Sequence, residues 1–79
     1  MTLAQRMKKE QKESLTLLIE WFGGQTKTAH YLETTKQNVH SWVKRGRISA
    51  TFAIVAEKAT QGDITKEQLR PDVLAWGKS

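Results

Sequence analysis

The chain of 79 residues contains no cysteine. That excludes a disulfide framework and a thiolate metal site, and it suits a reducing cytoplasm. Only two histidines occur, His30 and His40, and neither has partner ligands at zinc spacing, so no metal and no cofactor is expected. No apolar run approaches the ~20 residues that a membrane-spanning helix needs, and the opening MTLAQRMKKEQKES is too polar for a signal peptide. A cytoplasmic chain without membrane contact is the expectation. Serine, histidine and aspartate are present, but nothing places them on a nucleophile turn or beside an oxyanion pocket, and so short a chain leaves little room for a substrate cleft. Catalysis is not expected. Residues 1–79 are long enough for one domain with one modest core.

Acidic residues are scarce in one particular stretch. The formal net charge is +5. Residues 1–22 carry four basic and three acidic side chains, and residues 51–79 carry four of each. Residues 23–50 carry five basic side chains, Lys27, Lys36, Lys44, Arg45 and Arg47, against Glu33 alone. Positive charge gathered in this way is the footprint of a phosphate-binding surface.

That stretch also holds the clearest pattern. Ala29 and Leu32, with Thr28 beside them, put one narrow face inward on a helix that begins at Gln25. A second helix opens at Thr35, whose side-chain oxygen can accept from the free N–H groups of a first turn, and Val39 and Trp42 follow at helical spacing. Only Glu33 and Thr34 separate the two. A connection that short makes the helices cross steeply and pack on each other, a helix-turn-helix at about 25–44. Lys36, Gln37, His40, Ser41 and Lys44 fall on the face of the second helix that Val39 and Trp42 do not use. An aromatic can stack on bases, but the spacing of Trp42 with Val39 assigns it to the core.

The flanks read as packing. Leu15, Leu18, Ile19 and Phe22 form an amphipathic stripe, while Leu17 and Trp21 fall off it and either widen the buried face or touch a neighbour. Residues 4–13 are good helix formers, so residues 1–13 either extend that helix or fray. Gly23-Gly24 stops the helix as a left-handed cap. Gly46 ends the second helix of the pair, and Ile48 is a core plug. Ser49 or Thr51 caps a fourth helix in which Phe52, Val55, Ala56 and Ala59 repeat, with Ile54 available to widen the face. Thr65 and Gln68 have the spacing of a capping box for a short last helix through Leu69, and Pro71 stops it. Val73, Leu74 and Trp76 make residues 71–79 an apolar tail that folds onto the core or supplies a dimer contact. The expected fold class is all-α: five helices in one compact domain.

The run GGQTKTAHYLETTKQNVHSWVKRGRIS, followed by FAIVAEKATQGDITKEQLRPDV, resembles the Cro-like phage repressors and the related YdaS-type antitoxins, small helix-turn-helix proteins of bacteria and their phages. The similarity runs from about Leu15 to Trp76. Its most specific parts are Gly24-Gln25, Ala29, Leu32, Val39, Trp42, Arg45-Gly46 and Thr65 through Asp72. The resemblance implies a lambda-repressor-like five-helix architecture and a DNA-binding regulator acting on an operator, commonly as a homodimer. Two positions depart from the pattern. Glu33 stands where the turn usually has glycine, and a left-handed conformation there costs a non-glycine residue about 1 kcal/mol. Ser49 stands where relatives often place proline, and serine caps adequately.

Matching donors to a duplex assigns the residues. A recognition helix lies in the major groove with its N-terminal residues at base edges, here Lys36 and Gln37, with His40 and Ser41 a turn further and Lys44 near the end. Gln37 can pair bidentately with adenine, and Lys36 can donate to guanine. Gln25, Thr26 and Lys27 begin the first helix of the pair, where free N–H groups help to hold a phosphate. Thr35, Arg45 and Arg47 are further phosphate contacts, as is Asn38, which points partly sideways. For each of these the bland alternative is a solvated polar side chain. A second function class, an antitoxin-like module that binds a toxin or other protein partner through its apolar tail, makes DNA contact secondary.

Overall fold

The computed structural model describes residues 2–73, apart from the side chain of Ala4. Five α-helices follow in order: α1 (Leu3–Phe22), α2 (Gln25–Tyr31), α3 (Lys36–Arg45), α4 (Ala50–Ala59) and α5 (Lys66–Leu69). No strand occurs among the described residues. The fold class is therefore the all-α, five-helix arrangement expected. Leu74 and Trp76 of the apolar tail lie outside the described residues, and Val73 is half-buried.

Residues 3–13 are the first half of one continuous helix. Thr2 caps it by accepting from the Gln5 N–H, and the Gln5 side chain accepts in return from the Thr2 N–H at 2.9 Å. That capping box satisfies two of the donors that a helix start leaves free. At 20 residues α1 runs about 30 Å, nearly the 33 Å long dimension of the molecule. Helices α2, α3 and α5 pack against α1, whose apolar stripe is Leu15, Leu18 and Phe22, and α4 packs on α5. Leu17 and Trp21 do neither of the things expected of them in full: both stay exposed, although the Trp21 ring meets the Phe22 ring edge-on at 5.0 Å.

The core draws on every helix and on the connections between them. Ala29 and Leu32, Val39 and Trp42, Ile48, Ala53 and Ala56, Ile64 and Leu69 join the α1 stripe. Fully burying a side chain the size of leucine is worth about 1.5–3 kcal/mol, so a core of this size suffices for one small domain. The expected stripe of α4 does face the core, but Ala53 joins it and Ile54 does not widen it. Its contact centres on Ala53 and Ala56, with Phe52, Val55 and Ala59 partly buried beside them, and Ile54 is exposed. Phe52 meets the Trp42 ring at 5.1 Å. Thr60, also buried, closes the end of α4 by accepting from the Ile64 N–H while its oxygen lies 3.0 Å from the Ala56 carbonyl.

A polar network ties α1 to the segment that follows α5. Arg70 grips Asp72 with two parallel bonds of 2.9 Å, from Nε and Nη2, and its Nη1 donates to the Ile48 carbonyl at 3.0 Å. Gln11, buried on α1, donates to the same carboxylate at 2.8 Å. One Asp72 side chain thus links α1, the segment before α4 and the end of the described chain. The Arg70 hydrogen bonds, above all, hold the Asp72 carboxyl below its usual 3.8, with partial burial opposing them. A lowered folded value means that the stabilisation is complete above the ordinary aspartate value and fades as pH falls through the lower folded one. Asp72→Asn should therefore cost about 1–2 kcal/mol near neutrality, the low end of the range for charged hydrogen bonds because the group is partly exposed. Thermal melts of both proteins should show that gap closing in acid; an equal gap at pH 7 and in acid would contradict the assignment.

Candidate nucleic-acid interface

The geometry of α3 begins at its inner face. Val39 is fully buried and Trp42 nearly so, and the Trp42 ring lies 5.1 Å from that of Phe52. At 100° per residue these two positions leave Gln37 and Lys44 pointing directly outward, with His40 and Ser41 on either side of them. Thr35 caps the helix by accepting from the Asn38 N–H at 3.1 Å. At the other end the Arg47 N–H reaches the Trp42 carbonyl and the Gly46 N–H the Val43 carbonyl, the paired closure that a left-handed Gly46 (φ 80°) permits.

The turn before α3 keeps the geometry that glycine usually provides. Glu33 has φ 56°, in the left-handed region. It sits where glycine would close α2, because the Thr34 N–H bonds to the Ala29 carbonyl at 2.9 Å and the Glu33 N–H to the His30 carbonyl at 3.2 Å. Two backbone bonds thus offset the conformational cost of the glutamate. Helices α2 and α3 pack on each other across this turn, and Ala29, Leu32 and Val39 lie in the same buried cluster.

The outward side chains divide by what already occupies them. Lys36, Gln37, His40 and Lys44 are exposed and make no side-chain hydrogen bond or ion pair among the described residues. Ser41 is half-buried and donates back to the Gln37 carbonyl at 3.0 Å, so its proton is used within the helix and its oxygen remains an acceptor. Asn38 donates to the Thr34 hydroxyl at 2.9 Å, which turns it towards the turn and away from the outward face. Thr35 keeps its hydroxyl proton while its oxygen caps the helix. At the start of α2, Gly24 supplies no side-chain cap, so the first-turn N–H groups stay open beside half-buried Gln25 and exposed Thr26 and Lys27. The Lys27 stem lies over Gly23, where an added Cβ would come within 3.2 Å of its Cδ. Arg45 is exposed. Arg47 has Nη1 4.0 Å from Asp72, a carboxylate already held by Arg70, and remains about half exposed.

Sequence periodicity did not bring α1 to this surface. Lys8 and Lys12 stand across a cleft from Lys44, Arg45 and Arg47. Their spacing of four marks a shared helix face, but only the packing of α1 on α3 shows what that face meets.

These elements define a class: a small all-α domain built on a helix-turn-helix, with an outward helix rich in donors. The family described as Bacterial toxin YdaS matches residues 15–77, from the second half of α1 through α5 and beyond. The chain belongs to that family. Of the two groups in the resemblance this is the YdaS type, although its description says toxin where an antitoxin was expected. No curated protein and no solved structure matches the chain.

The turn gives a direct test of the geometry. Glu33→Gly removes the left-handed cost and should raise stability by up to about 1 kcal/mol, less what the freer unfolded chain takes back. Glu33→Val, β-branched and poorly suited to that region, should lower stability by about 1 kcal/mol or more. The same sign for both in thermal melts would contradict the conformation of the turn.

Proposed function

We propose that the chain is a sequence-specific DNA-binding transcriptional regulator of the Cro-like kind, reading an operator major groove with α3. The observation that carries this is the outer face of α3: Lys36, Gln37, His40 and Lys44 are exposed and without protein partners, on a helix fixed by its cap and by Val39 and Trp42. Donors held in one geometry and left unused by the protein are what base-edge recognition requires. Ser41 contributes as an acceptor. Gln25, Thr26, Lys27, Thr35, Arg45 and Arg47 set the register by holding phosphates, and Asn38 serves the turn first. The regulator acts as a homodimer in the cytoplasm of a bacterial or phage-infected cell, on half-sites one helical turn apart, about 34 Å.

A second reading is favoured by a different observation. Leu17, Trp21 and Tyr31 are 58%, 48% and 59% exposed, and Tyr31 stacks on Phe22 at 5.2 Å. An exposed aromatic patch of this kind, with a family described as a toxin, suits a module that binds a protein partner and touches DNA only secondarily. Duplex retarded without sequence preference, alongside a co-purifying protein, would favour that module.

Alanine at Lys36, Gln37 or Lys44 should leave the melting temperature unchanged and weaken binding to a preferred duplex, with Gln37 costing about 1–3 kcal/mol at its base pair alone. Salt should act strongly as well: with about four phosphates neutralised, affinity falls roughly a hundredfold between about 50 and 200 mM. Unchanged affinity in all three variants would remove α3 from the interface.

A further inference from the structure

Between the N-terminal half of α1 and the end of α3 lies an open cleft of about 480 Å³. Lys8 and Lys12 line one side, and Lys44, Arg45 and Arg47 line the other. Lys8, Lys12, Lys44 and Arg45 make no ion pair among the described residues, so their charges are uncompensated within the protein. Lys8 and Lys12 are one turn apart on one helix face and repel each other. A concave surface lined by one sign of charge concentrates its field and draws in a counter-charge.

The cleft is also held in shape. Gln11 of α1 donates to Asp72, Arg47 of the opposite wall lies 4.0 Å from the same carboxylate, and Arg70 grips it bidentately. The two walls are therefore joined through Asp72, and Arg70 offsets its negative charge. At the end of α3 the Trp42 and Val43 carbonyls are already bonded by the N–H groups of Arg47 and Gly46. Lys44 and Arg45 are accordingly not needed to cap that end.

Lys44 belongs both to the outer face of α3 and to the cleft, so the two surfaces are continuous. We propose that the cleft clamps the sugar-phosphate backbone of the duplex that α3 reads, with Lys8 and Lys12 closing on it from the side opposite Lys44 and Arg45. This rests on the DNA-binding reading given above. One free phosphate would leave most of five cations unbalanced, whereas a strand passing through offers successive phosphates.

The test compares the wild type with the double variant Lys8→Gln/Lys12→Gln and with Lys9→Gln. Glutamine keeps helix propensity, both lysines of the double variant are exposed, and Lys9 lies on α1 outside the cleft. Binding to one tightly bound duplex is measured across a salt series. The double variant should lower the slope of log affinity against log salt by about one to two, with its order of preference among duplexes unchanged, while Lys9→Gln leaves the slope nearly as it was. An unchanged slope in the double variant, or an equal change in Lys9→Gln, overturns the clamp and leaves the α3 reading standing. A wild type that binds no duplex overturns both. Inorganic pyrophosphate provides the last arm: saturable shifts of the amide signals of Lys8, Lys12 and Arg45 that duplex does not compete away would assign the cleft to a free anion and overturn the clamp.

Discussion

What α3 can present outward depends on how its inner face is held. Val39 and Trp42 are buried, and the four-residue connection from Leu32 to Thr35, with both of its end residues serving as caps, leaves little freedom to slide α3 along α2. The turn exists because Glu33 accepts a left-handed conformation and thereby lets two backbone bonds close α2. Thr35 then starts α3 at a fixed residue. With the start, the inner face and the crossing all set, the directions of Lys36, Gln37, His40 and Lys44 follow from helix geometry.

A polar device beside the end of α3 supports that arrangement. A chain this short has limited apolar area, and among the described residues none before Leu15 belongs to the apolar core. Asp72 compensates by joining Gln11 on α1 to Arg70, and Arg70 in turn reaches the Ile48 carbonyl just after α3. The polar half of α1 is in this way held near the end of the outward helix. Lys8 and Lys12 come to face Lys44 and Arg45 as a result.

Much of the fold was legible because its signals are local. Caps act over three residues, and Thr35, Ser49 and the Thr65–Gln68 pair each do what their spacing predicts. Stripes act over three or four residues, and Leu15, Leu18, Phe22, Val39 and Trp42 are all inside. Where contacts join distant positions the sequence is silent. Gln11 and Asp72 are 61 residues apart, and Arg70 and Ile48 are 22. Residues 3–13 could thus be seen as helix formers but not as an anchored helix. In α4, large side chains dominate an apolar pattern, yet Ala53 and Ala56 are the fully buried positions. The candidate site shows the same division. The register of α3 placed its outward residues, whereas the local engagement of Asn38 and Ser41 and the second wall of lysines became visible only in three dimensions.

The central claim is that a fixed α3 reads base edges, and selection of bound duplexes from a random pool tests it most directly. The account predicts an enriched sequence with two-fold symmetry, its half-sites one helical turn apart at about 34 Å, and preference lost when Gln37 is replaced by alanine. A bound pool no different in sequence from the starting pool would contradict it.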